Sequence, residues 1–315
     1  MHTRTVKIAI ISTMLAGIAC FGAAPGKGKY FVFVVGDQEY RSEKSMPALA
    51  RILAERHGFK RTVLLPVNRQ TGEVNFITQD DIPGLEALRT ADLMALFARF
   101  LELPDEQMRE IAGYTSSGRP IVALGTPTHA FNYQKRKDSP CAKCSYRGKE
   151  FEGGCGRQVL GETWIDHYGA HQKESTRGIV APGMGKHPIP RGVKDIWGES
   201  DVCSITTLSG DSKPLLMGQA RPGMQPSSPP NLDKRPAPAA WVRSYTGESG
   251  RTARMVTITM GRPADFKNRG LRRSVVDACR WALGTEKRIA ANSNVEFAGP
   301  YKSTPIGGRK RQTGQ

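Results

Sequence analysis

The chain has 315 residues, enough for one large domain or two small ones. Its 24% charged and 38% hydrophobic residues are a globular composition, which excludes a disordered or fibrous chain. The net charge of +17 favours anionic partners without specifying a fold, and the one long apolar run is N-terminal, which excludes a multi-span membrane protein.

Residues 1–24 read as a secretory signal peptide. Arg4 and Lys7 precede an apolar stretch from Ile8 to Phe21, and Ala23 and Ala24 supply small residues for cleavage. The run is too short for an anchor, so the mature chain is expected to be exported without a transmembrane span. Gly17 stands where lipoprotein processing wants a Leu, which argues against a lipid anchor at Cys20.

Tyr30 to Val35 is a nearly continuous apolar run, the mark of a strand buried on both faces. Ser45 can cap a helix with Pro47 in its first turn, an apolar stripe at Leu49, Ile52 and Leu53, and a stop at Gly58. His57 falls at the helix end, where the dipole favours a cation. Thr62 to Leu65 is the next strand. Pro83 to Arg89 is a short helix, Leu93 to Phe97 a strand, Pro104 to Ser116 an amphipathic helix and Pro120 to Leu124 a strand. This alternation predicts an α/β fold with a parallel central sheet between helix layers.

Residues 133–158 are basic and rich in Gly and Cys, which marks a surface insertion. Val202 to Leu208 and Pro214 to Met217 read as strands, and 221–238 as a Pro-rich loop. Ala239 to Tyr245 and Arg254 to Met260 suit a hairpin, and Asp265 to Leu283 a closing helix with Cys279 on its core face. Residues 286–315 lack apolar periodicity and are expected as a flexible basic tail behind a domain over 28–285.

Five cysteines remain after Cys20, an odd number that does not indicate a disulfide framework. Cys141, Cys144 and Cys155 fit a local cross-link, free thiols or half of a zinc site; no fourth ligand sits at tight spacing.

In open parallel sheets ligands bind beyond the carboxyl ends of the strands. That rule brings together three polar loops: Asp37 to Arg41, Arg99 to Phe100 and Thr126 to His129. Asp37, Glu39 and Tyr40 can hold hydroxyl groups, although Asp37 and Glu39 can equally cap the helix that follows. Arg99 can clamp an anion or pair with those acids. Thr126 and Thr128 can contact a ligand or satisfy turn backbone. The turn after the fourth strand holds no Cys, so a Cys glutaminase is excluded.

His129 and His167 are the acid–base candidates, because imidazole titrates near neutral pH. His167 and His171 have the spacing of a two-His metal site if helical, which Gly169 disfavours; His129, Asp166 or Glu162 could complete a divalent site such as zinc. His187 precedes Pro188 and reads as structural. There is no Walker A loop and no G-x-G-x-x-G after a strand, so no nucleotide cofactor is expected. The short runs Lys135-Arg136-Lys137 and Arg309-Lys310-Arg311 carry no nucleic-acid motif.

Several blocks, among them FVFVVGDQEYRSEKSMPALARILAERHGF, PIVALGTPTHAFN and GRQVLGETWIDHYGAHQKESTRG, resemble the trehalose-utilisation (ThuA-like) family, and in particular its exported members. The resemblance spans about residues 28–285. It implies the three-layer, flavodoxin-like fold of the class I glutamine amidotransferases without their Cys, and a link to trehalose, glycoside or keto-sugar processing by a hydrolase, lyase or isomerase. It maps a family His onto His129, a Trp and a His onto Trp164 and His167, and a His-Pro pair onto His187-Pro188. Gly125-Thr126-Pro127 departs from the Arg-Thr-Ala expected there, which removes an anion-binding side chain from that turn. A non-catalytic sugar- or cell-surface-binding protein on the same fold is the other reading.

Overall fold

In a computed structural model the chain is described over residues 26–306, apart from 206 and 291. The expected signal peptide, with Cys20, and the last residues of the expected tail lie outside the described residues.

The chain runs β1 (Tyr30–Gly36), α1 (Ser42–His57), β2 (Lys60–Leu64), β3 (Leu93–Ala98), α2 (Asp105–Ser116) and β4 (Ile121–Leu124). Beyond the insertion come β5 (Trp164–His167), β6 (Glu174–Val180), β7 (Ile196–Gly198), β8 (Cys203–Ile205), β9 (Lys213–Pro222), β10 (Ala237–Thr246), β11 (Thr252–Ile258) and α3 (Arg269–Ala282). Nine strands form one sheet in the order β2-β1-β3-β4-β11-β10-β9-β6-β7. Its first five strands are parallel and the others antiparallel. β5 and β8 form a separate two-stranded ribbon.

The alternation along β1 shows why three layers form. Phe31, Phe33 and Val35 pack with Leu49, Ile52 and Leu53 of α1 and with Leu271, Val275 and Cys279 of α3. Val32 and Val34 point to the other face, against Leu85 and Leu88 of a short 3-10 turn and Met108 and Ile111 of α2. The expected α/β fold with its parallel central sheet is therefore present, extended by an antiparallel half. None of the helices among the described residues is long and apolar enough to cross a membrane.

The boundaries differ where local rules compete. α1 starts at Ser42, not after Ser45, because the Ser42 hydroxyl is tied to the backbone of Asp37, and Pro47 falls in the second turn. The sequence pattern does not mark β5, β6 or β7: β5 and β7 have only four and three residues, and β6 opens on the polar run Glu174–Arg177 without alternation. The loop expected over 221–238 is shorter, because β9 and β10 extend into it.

Residues 286–306 are not a free tail. Val295 is fully buried, Phe297 and Tyr301 stack on one another against the core, and the Tyr301 hydroxyl donates to the Pro263 carbonyl at 2.7 Å. His57 ends α1 as expected but is buried, with Nδ1 2.7 Å from the Arg280 guanidinium. Burial, and then Arg280, push its pKa down to about 4, so it is a neutral acceptor and not a dipole-stabilised cation.

In the insertion Cys144 and Cys155 form a disulfide, while Cys141 is buried and free. The half zinc site considered for these cysteines is therefore not formed.

Candidate functional site

The chain passes from β1 outward to β2 and then back across β1 to β3, so the sheet order switches at β1 and β3. A crevice opens at such a point beyond the carboxyl ends of the strands. The loops after β1, β3 and β4 meet there, and the β5–β8 ribbon closes over them with His167 paired to Cys203 across the ribbon. The cavity between them is lined by Tyr40, Arg99, Thr126, His129, Trp164, His167, Asp201 and Cys203, among others. It measures only about 10 Å³, room for roughly one water.

The centre of the site is Asp201, whose carboxylate is 2% exposed. Its Oδ2 lies 2.6 Å from His167 Nδ1 and its Oδ1 lies 3.0 Å from His171 Nδ1, with the two imidazole centroids 4.4 Å apart. Burial works to raise the Asp201 pKa, but the hydrogen bonds from the two histidines outweigh it and hold the carboxyl below its ordinary value. The bond to Asp201 raises the His167 pKa, against partial desolvation. Asp201 also selects the tautomer: a neutral His167 donating from Nδ1 presents Nε2 as an acceptor.

Around this pair, the Tyr40 hydroxyl is 3.3 Å from His171 Nδ1 and Glu39 Oε1 is 3.5 Å from His171 Nε2. Arg99 pairs with Glu39 at 2.7 Å and lies over the Phe100 ring at 4.3 Å. Phe100 holds a left-handed backbone (φ 53°), a costly conformation for an aromatic residue, and its ring joins His129, Tyr146 and Trp164 in one aromatic cluster.

The expected site residues are brought together but not in the expected roles. His129 is 3% exposed, its ring packs on Trp164 at 4.7 Å, and its Nδ1 has no hydrogen-bond partner among the described residues. Burial, then Arg99, then His167 hold its pKa well below the ordinary value, so it is a neutral ring in the cavity wall. Asp37 is 1% exposed and faces inward. Its Oδ1 accepts from the backbone N–H of Glu39 and Tyr40, and its Oδ2 contacts the Thr126 hydroxyl at 2.5 Å. That hydroxyl also lies 3.0 Å from the Ala98 carbonyl, so one proton faces two acceptors. A protonated Asp37 donating to Thr126, which then donates to Ala98, satisfies all three groups; burial raises the Asp37 pKa to about 6. Asp37 therefore organises the loop and does not reach the cavity. Thr128 is likewise buried, its carbonyl accepting from Thr163 at 3.4 Å.

The metal grouping also changes. His167 ends β5 and His171 lies in the turn that follows, so a bend and not a helix brings their rings together. Their third partner is Asp201, the three donor atoms lying within 4.8 Å of one another. His129 is outside this group. Glu162 is turned to Arg157 and the Thr163 N–H, and Asp166 to the His167 N–H. Two imidazoles and a carboxylate are a donor set that suits zinc with a position left open. His187 lies elsewhere, packed on Trp281 of α3 at 5.2 Å.

Sequence reasoning missed Asp201 and Cys203. Asp201 stands 30 residues beyond His171, and only the antiparallel pairing of β8 with β5 brings it back. Gly125, where an Arg was expected, has φ 66°, and a Cβ there would sit 2.0 Å from the Phe97 ring, so the turn admits no side chain.

Neither a family model nor a curated protein matches the sequence. Among solved structures the chain is similar to a ThuA-like protein from Bacteroides uniformis ATCC 8492, at 14% identity over 84% of this chain and 94% of that one, with a TM-score of 0.52. It is also similar to a ThuA-like protein from Parabacteroides merdae ATCC 43184, at 13% identity over 82% and 90%, with a TM-score of 0.50. At these identities the likeness is one of fold, and the fold implied by the resembling sequence blocks is the fold found.

Proposed function

We propose that this protein is an exported carbohydrate-processing enzyme. It would act on a glycoside or keto-sugar of the trehalose-utilisation type, with the His167–Asp201 pair as its acid–base centre. The observation that carries the reading is the buried Asp201 carboxylate bridging two part-exposed imidazoles at the crevice where the fold concentrates its binding loops. In this reading Asp201 holds the His167 ring and stabilises its protonated form, and His167 exchanges a proton with the sugar. Trp164, Tyr40 and the Arg99–Glu39 pair shape the entrance. Export rests on the charge and apolar pattern of residues 1–24.

The donor set of His167, His171 and Asp201 supports a second reading, in which these residues hold a divalent cation that supplies Lewis-acid chemistry. Turnover of a glycoside and keto-sugar panel by the purified protein tests the proposal. His167→Ala and Asp201→Asn should each lower turnover by about 100-fold or more, the usual worth of a positioned acid or base. Elemental analysis of the same preparations separates the readings: a stoichiometric ion lost in His171→Ala supports the cation. A protein that binds sugar without turnover in any form is a binding module, and the enzymatic reading fails.

A further inference from the structure

Trp164 belongs to two spaces. One side of it closes the small cavity beside His167 and Asp201; the other forms the wall of an open groove of about 530 Å³. The groove is within the size range of small-molecule sites, whereas the cavity holds about one water; a reacting sugar unit therefore meets His167, whose side chain is 31% exposed, from outside the cavity.

The opposite wall is the insertion. Tyr146 and Arg147 lie on the segment bracketed by the Cys144–Cys155 disulfide, with Glu152 and Gly153 further along the same segment. Tyr146 is almost buried, its ring 6.0 Å from Trp164, and its carbonyl accepts from the Thr163 hydroxyl at 2.8 Å, which ties the wall to β5. The Arg147 guanidinium lies 5.1 Å from the Tyr146 ring centre, exposed at the groove. The part-exposed Trp164 ring, backed by the buried Tyr146 ring and flanked by the exposed Arg147 and Glu152, forms a surface that suits a pyranose. The apolar C–H face of the sugar packs on Trp164 while its hydroxyls reach the charged groups at the rim.

We infer that this groove is a subsite for a second sugar unit, so that the ligand is an extended glycan and not a free monosaccharide, and that the disulfide-bracketed insertion sets this selectivity. The inference rests on the carbohydrate reading above and adds where the length of the ligand is read. The cross-link restricts the segment carrying Tyr146 and Arg147, so that this wall of the groove is held in one arrangement.

Equilibrium binding tests it without any turnover. Cellotriose, maltotriose and xylotriose are titrated against glucose and xylose by calorimetry, with the His167→Ala protein as a non-turning form. At least one trisaccharide should bind about tenfold or more tightly than its monosaccharide. Ile165→Arg, which places a long side chain at an exposed groove position, and Arg147→Ala, also exposed, should each abolish most of that difference. Equal affinity for the two sizes, a preference unmoved by both variants, or no binding by any of these sugars overturns the groove assignment. Turnover lost in His167→Ala would still uphold the acid–base centre if the groove failed. A length preference without turnover would uphold the groove alone.

Discussion

Replacing Asp201 by Asn removes the charge from the centre of the site while keeping its shape. Asp201 Oδ2 is 2.6 Å from His167 Nδ1, and the carboxylate is almost wholly buried. A hydrogen bond to a charged group is worth about 1.5–3 kcal/mol, and the 31% exposure of the His167 side chain favours the lower end through solvent screening. The His167 pKa should therefore fall in the variant, because the bond to Asp201 is what raises it. The assay is an NMR titration of the His167 ring in chelator-treated protein, wild type against Asp201→Asn. The stability consequence has a definite sign. A histidine whose folded pKa lies above its ordinary 6.5 stabilises the fold fully below that value, and the contribution fades as pH rises through the folded pKa. The unfolding penalty of Asp201→Asn should therefore be larger near about pH 5.5 than near about pH 9. A His167 pKa that moves by less than about 0.3 units in the variant would refute the claim that Asp201 controls this ring.

Further expectations concern groups that the cavity does not use. His129 should titrate well below the ordinary histidine value by the same NMR measurement, because burial and then Arg99 disfavour its charged form. Asp37, raised to about 6 from 3.8, binds a proton more tightly in the folded chain, so stability should fall between those pH values by roughly 3 kcal/mol; Asp37→Asn should flatten that slope in urea unfolding. Gly125→Ala should cost about 2–4 kcal/mol in the same assay, since its Cβ meets the Phe97 ring at 2.0 Å and φ is 66°. Replacing Cys144 and Cys155 together by Ser should cost about 3 kcal/mol on the loop-closure model, for a separation of 11 residues.

Local hydrophobic pattern is enough to specify the first half of the fold. Apolar runs such as Tyr30–Val35 and Leu93–Phe97 are too continuous for a one-sided strand, and helix-period stripes separate them, so parallel β-α alternation is a local consequence of hydrophobic burial. The switch-point rule then places the loops of Asp37, Arg99 and Thr126 together from the strand order that this alternation implies. Between 160 and 198 the local signal fails. β5 and β7 span only four and three residues and β6 opens on the polar run Glu174–Arg177, so their register is set by neighbours on the sheet and ribbon rather than by their own pattern.

The chemistry of the site depends on contacts between segments far apart in the chain. The residue types at His129, His167 and His171 are alike, and their difference is one of surroundings. His129 is enclosed by aromatic rings and Arg99, whereas His167 and His171 share the carboxylate of Asp201. A pKa depends on desolvation and on charges a few ångströms away, and those charges arrive from residues tens of positions distant in the chain. For the same reason a chain segment with no apolar period, 286–306, still finds a place on the core through Val295, Phe297 and Tyr301, because a few well-placed apolar groups need only a complementary surface, which the rest of the fold provides.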